Sequence, residues 1–251
     1  MAVEGKTIDA LSQFELSPVL GIFGHAVSFS QSNLFMVVAV ALTWFLMKAT
    51  ADRGAMVPGR LQALGESAYE FIQGMVRDQV GDEGKKYFPF VFSIFMFVLF
   101  GNLLGMLPYA FTFTSHIVVT LTLAAVVWVS VTVIALQRHG THFFSYFFPE
   151  GAPTWLAPII IPVEIISYLS RMVSLSVRLF ANMVAGHVML KVFATFVVLL
   201  GGLGAVGPFV AAMPLAVNVA LVGFEFLVAF LQAYVFAILT SIYLHDAVHL
   251  H

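Results

Sequence analysis

The chain has 251 residues, of which 61% are hydrophobic and 10% charged, with a formal net charge of -2, and its mean hydropathy is +0.99. Soluble domains carry about 25% charged and about 45–50% apolar residues, so this composition excludes a water-soluble fold and places the chain in a bilayer. The small net charge excludes a global field for nucleic acid or acidic substrates, and the absence of cysteine excludes disulfides and thiolate metal sites.

Residues 1–32 are mixed polar and carry Glu4, Asp9 and Glu15, without the basic stretch and short apolar core of a secretory signal peptide. The first spanning segment is expected at residues 33–50, followed by Asp52 and Arg53. The second is expected at 87–107, ending at Pro108, and the third at 117–136, ending at Gln137-Arg138-His139. Segments of about 20 residues, at about 1.5 Å each, cross a hydrocarbon core of about 30 Å.

Residues 58–79 differ. Arg60, Glu66, Glu70, Arg77 and Asp78 alternate there with Leu61, Leu64, Tyr69, Phe71, Ile72 and Met75, the pattern of an amphipathic helix lying in the interface. A second interfacial piece is expected at 142–148, rich in Phe and Tyr and ending at Pro149. Arg53, Arg60, Arg77, Lys85 and Lys86 lie between spans one and two, Arg138 follows span three, and residues 108–116 have no Lys or Arg. The positive-inside rule then puts the N-terminal segment outside and the Arg60 and Arg138 connections in the cytoplasm.

Residues 159–200 and 209–244 are two long apolar runs, punctuated between them by Gly201, Gly202, Gly204, Gly207 and Pro208. As unbroken helices they would be about 55–60 Å long, nearly twice the hydrocarbon thickness. Pro158, Pro162 and Pro214 sit near the starts of the runs, so a steeply tilted hairpin is expected rather than four short helices. No internal repeat is visible. The expected architecture is an all-α membrane protein, a single membrane domain over residues 1–251, with about five membrane helices plus interfacial ones.

The first long run carries a polar stripe. Glu164, Arg171 and Arg178 are seven apart and Asn182 is four beyond, so all four fall within about 40° on one helix face, with Ser167 and Ser174 beside them. A guanidinium keeps its charge when buried, and a charge at mid-bilayer costs roughly 2.5–3.5 kcal/mol on insertion scales. The bland reading, ion pairs locking the helix to a neighbour, suits Arg171 better than Arg178, whose nearest acid on its own helix is two heptads away. His187 lies nine residues past Arg178 and so about 180° around the helix. If the two runs are antiparallel about the glycine-rich turn, His187 and Glu225 stand at similar depth. An imidazole and a carboxyl so placed have the composition of a proton relay. Gln232, seven beyond Glu225, falls near the level of Arg178 and Asn182. Two polar routes result, His187, Glu225 and Asn182 toward the outside, and Glu164 with Ser167 toward the cytoplasm. A fixed cation between them would block a direct leak and favour ionisation of a carboxylate brought beside it. No acid of this chain is placed to be that carrier, so it should come from a partner.

The stretch Ser174-Leu175-Ser176-Val177-Arg178-Leu179-Phe180-Ala181-Asn182-Met183-Val184-Ala185-Gly186-His187 resembles the subunit a family of the F-type ATP synthase membrane sector, whose motif reads approximately S-L-x-x-R-L-F-x-N-x-x-A-G-[E/H]. Gly101-Asn102-Leu103-Leu104-Gly105-Met106-Leu107-Pro108 is similar to the family's second-span stretch, and the segment from Glu225 to Gln232, with Tyr243, to its last helix. The resemblance implies a proton-translocating stator subunit without catalytic chemistry of its own. Arg178 would face the ring of c subunits and act on each ring carboxylate, and the long hairpin would lie along that ring. Asn182, His187, Glu225 and Gln232 would belong to the proton path, and Glu164 and Ser167 to its cytoplasmic side. It further implies peripheral-stalk b subunits as partners, a bacterial inner membrane ahead of a mitochondrial one, and no cofactor, metal or nucleic acid. Gly105 stands where some bacterial members carry an acid.

Two other classes fit the sequence less well. A secondary transporter using Arg178 for an anionic substrate would show paired repeats, which are not visible. A metalloenzyme would use the histidines, but no H-E-x-x-H is present, and His245, His249 and His251 read as a solvated tail.

Overall fold

A computed structural model describes residues 18–21, 28–51, 59–107, 110–140, 143 and 156–249. Six α-helices carry the architecture: α1 (Gln31–Ala51), α2 (Arg60–Val80), α3 (Phe88–Gly105), α4 (Ile117–His139), α5 (Ala157–Gly201) and α6 (Gly207–Val248). All but α2 are long and apolar enough to cross a membrane. The expected interfacial piece at 142–148 lies outside the described residues, save Phe143.

The sequence reading did not foresee strands. Ahead of α1, β1 (Pro18–Gly21) and β2 (Ser28–Ser30) pair antiparallel, with Leu20 opposite Phe29 and a register shift between Pro18 and Leu20.

The two long runs are continuous helices of 45 and 42 residues. At about 1.5 Å per residue each exceeds 60 Å, about twice the hydrocarbon core. Pro158 and Pro208 sit in the first turn, where a missing N–H costs nothing. Pro162 and Pro214 lie inside their helices but close to the start, so each removes one intrahelical bond without ending the helix. The helices pack on one another as a hairpin. Its turn needs glycine twice. Gly204 takes φ +73°, and a Cβ on Gly207 would sit 2.6 Å from the Gly201 carbonyl oxygen.

The core is built from α2, α3, α4 and the second half of α6. Ile72, Val76, Val91, Phe95, Met96, Val98, Val127, Phe236 and Leu244 are almost fully buried there. On α2 the buried face is Ile72, Met75, Val76 and Val80, whereas Leu61, Leu64, Tyr69 and Phe71 are exposed. Buried polar pairs fix helix register. Thr120 on α4 meets Ser176 on α5 at 3.1 Å, and Asn102 on α3 donates to the Ala229 carbonyl of α6 at 3.2 Å. Such bonds replace the hydrophobic drive that helices lack in lipid.

Three contacts gather one end of the bundle. Arg138, near the end of α4, pairs with Glu83 in the 3-10 turn Asp82–Lys86. His139 reaches the Ala247 carbonyl near the end of α6 at 3.2 Å. Arg171 on α5 pairs with Asp246 on α6 at 2.8 Å. The expected second run ended at residue 244, but α6 continues through His245 and Asp246 to Val248. His245 is therefore helical and half-buried, its ring 4.6 Å from that of the exposed His249.

Candidate functional site: a polar route between the two long helices

The residues singled out in the two long runs fall into three groups. Arg178 lies on an exposed face of α5. Among the described residues no carboxylate is within ion-pair distance of it. The exposed residues in line with it are small: Ser170, Ser174, Ala181 and Ala185. Small residues let a neighbouring helix approach closely. Around this strip the surface is apolar, with Val173 and Val177 exposed on α5 and Phe224, Leu227 and Leu231 on α6.

The second group is buried between α5 and α6. Glu225 is 4% exposed, and neither carboxyl oxygen has a hydrogen-bond partner among the described residues. His187 presents Nδ1 to Glu225 Oε1 at 3.8 Å. Gly186 makes this possible, because a Cβ there would lie 2.5 Å from the same carboxyl oxygen. Beside Glu225 lies a cavity of about 280 Å³, lined among others by Asn182, Ala185 and Gly186 of α5 and Glu225, Val228 and Gln232 of α6. Most of its wall is apolar, with Met189, Leu190, Leu221, Phe224 and Leu231 completing it, and its polar groups are the Glu225 carboxyl and the two amides. Its lining residue closest to Arg178 in sequence is Asn182, one helical turn away. The cavity therefore runs from Glu225 to within one helical turn of the arginine. His187 is not among its lining residues and points the other way.

There His187 meets a residue that sequence reasoning missed. Thr112, in the connection between α3 and α4, has its hydroxyl 2.9 Å from His187 Nε2, and the same hydroxyl donates to the Gly105 carbonyl at 3.1 Å. Thr112 is buried. In sequence its segment is distinguished only by lacking Lys and Arg, and nothing in its local pattern shows that it folds back onto α5. His116, just ahead of α4, stacks on Phe111 at 5.1 Å, and burial holds its imidazole below the ordinary value and so neutral at pH 7.

The third group lies at the opposite end of the hairpin. Arg171 pairs with Asp246 at 2.8 Å, with its guanidinium 5.4 Å from the centre of the Tyr243 ring. Asp246 was missed because the reading ended the helix before it. Glu164 is half-buried and Ser167 exposed; neither lines the cavity. Ser167 contributes its carbonyl to the Ser170 hydroxyl at 2.7 Å. Among the described residues no group of three His, Asp or Glu could hold a metal ion.

Comparison with known proteins shows the family of the chain. Residues 33–245 match the family model described as ATP synthase A chain. The chain is 63% identical to the ATP synthase subunit a of Granulibacter bethesdensis over 252 residues, covering 100% of both chains. It is 54% identical to that of Acidiphilium cryptum and 55% to that of Gluconacetobacter diazotrophicus, in each case over 97% of this chain and 98% of the relative. With the match extending over nearly all of its length, the chain belongs to the ATP synthase A chain family.

Proposed function

We propose that this multi-pass membrane protein acts as one membrane domain, the proton-translocating stator subunit of a bacterial F-type ATP synthase. It offers two aqueous half-channels separated by Arg178 and has no catalytic chemistry of its own. The observation that carries the reading is the position of Glu225. Its carboxyl is buried between His187 and a cavity that ends at Asn182 and Gln232, one turn from an exposed arginine. A carboxyl thus stands at one end of that space with an imidazole behind it, and a fixed cation lies one helical turn beyond the other end.

Orientation follows from charge. Lys85, Lys86, Arg138 and Arg171 gather at the end of the bundle tied together by the Arg138–Glu83, His139–Ala247 and Arg171–Asp246 contacts. The positive-inside rule makes that end cytoplasmic and puts the Gly204 turn outside. Thr112, His187 and Glu225 then serve the outer half-channel. Glu164 and Ser167, toward the start of α5, serve the cytoplasmic one.

The partner is the ring of c subunits, and peripheral-stalk b subunits hold the stator in place. The strip Ser170, Ser174, Ala181 and Ala185 beside Arg178 suits close passage of a ring helix, whose carboxylate supplies the counter-charge that the described residues do not. A guanidinium there favours the ionised carboxylate as it crosses between the half-channels, so a proton cannot pass without rotation.

The test is Arg178→Ala in the intact complex, with ATP-driven proton pumping and ATP synthesis measured in vesicles. Both are expected to fall to background while the complex assembles. Coupled pumping at the wild-type rate would contradict the reading.

A further inference from the structure

Thr112 is outside the two long helices, yet its hydroxyl lies 2.9 Å from a ring nitrogen of His187. A hydroxyl has one hydrogen to give. Thr112 gives it to the Gly105 carbonyl at 3.1 Å. Gly105 is the last residue of α3, so its carbonyl is one of the four that find no donor within the helix, and a carbonyl can only accept. The Thr112 oxygen is then left to accept, and the group 2.9 Å away is His187 Nε2. In a neutral imidazole one nitrogen donates and the other accepts. Hydrogen on Nε2 therefore leaves Nδ1 as the proton acceptor, and Nδ1 is the nitrogen turned toward Glu225 at 3.8 Å. Gly105 is fitted to this arrangement, because a Cβ there would overlap the Thr112 hydroxyl.

We propose that Thr112 is a positioning residue that holds neutral His187 as the Nε2–H tautomer, so that protons pass between the imidazole and Glu225 through Nδ1. The inference rests on the reading of His187 and Glu225 as part of the outer half-channel. Without the hydroxyl, the ring can place its hydrogen on either nitrogen. The fraction with hydrogen already on Nδ1 cannot take a proton from the carboxyl side.

The test uses the reconstituted complex with ¹⁵N-histidine in this subunit, the His187 ring signals being assigned by their loss in His187→Ala. Solid-state NMR is expected to show hydrogen on Nε2 in the wild type. Thr112→Val should give a mixture of tautomers and roughly tenfold slower proton flow. Thr112→Ser should restore both. Gly105→Ala, which leaves the hydroxyl in place but pushes it aside, should behave like Thr112→Val. An unchanged tautomer in both Thr112→Val and Gly105→Ala would overturn the inference, as would failure of Thr112→Ser to restore it. If instead His187→Ala leaves proton flow unchanged, the half-channel reading fails, and the ring signals still decide the role of Thr112.

Discussion

The two ends of the α5–α6 hairpin solve the problem of polar groups in a membrane in opposite ways. Toward the end of α6, Arg171 is matched by Asp246 at 2.8 Å and flanked by Tyr243, over a space lined by Trp128, Val131, Ala135 and Phe143. Toward the Gly204 turn, Glu225 is more deeply buried, faces a histidine at 3.8 Å and borders a cavity of about 280 Å³. Arg171 and Arg178 lie on one stripe of one helix, yet the first has a carboxylate from its own chain and the second is exposed with no carboxylate in ion-pair distance among the described residues. A paired charge holds two helices in register. An unpaired one is a site that a moving partner can visit.

Breaking each end should therefore give different phenotypes. After the loss expected of Arg178→Ala, the largest effect belongs to Glu225→Gln, which keeps shape but cannot exchange a proton. Proton flow through the membrane sector, followed by a pH-sensitive dye in vesicles, should fall roughly 10²-fold without loss of assembly. Wild-type flow would remove Glu225 from the route. Gly186→Ala should come next, because its Cβ would press on the Glu225 carboxyl. Displacement of that group by a few tenths of an ångström should cost roughly tenfold in flow, and a co-purified complex of normal composition would show that the loss is local. The smallest effect on transport is expected at the paired end. Asp246→Asn removes the carboxylate that Arg171 meets at 2.8 Å, which should destabilise the hairpin by about 1–2 kcal/mol. A lowered thermal midpoint with proton flow within about twofold of wild type is the expected result. Loss of flow at unchanged stability would show that Arg171 and Asp246 belong to the route.

Much of this division could be read from residue spacing. Seven-residue intervals put Glu164, Arg171 and Arg178 on one face, and counting outward from the glycine-rich turn put His187 opposite Glu225. Both are local or nearly symmetric relations that helix geometry transmits over long distances. Asp246 was not legible, because its role depends on α6 running four residues past the last apolar residue counted. Thr112 was not legible either. It sits in a short connection whose path depends on a 3-10 turn, Phe113–Ser115, packing back against the long hairpin. The strands ahead of α1 escaped for a similar reason, since three- and four-residue strands carry too little alternation to stand out.

The central claim is that Arg178, unlike Arg171, divides two water-filled routes. It is tested most directly by passive proton permeability of vesicles carrying the assembled membrane sector, with Arg178→Ala and Arg171→Ala compared in parallel. Removal of the dividing charge predicts a raised leak in Arg178→Ala and a wild-type leak in Arg171→Ala, whose loss should appear in stability alone. An equal leak in the two variants, or none in Arg178→Ala, would contradict the account.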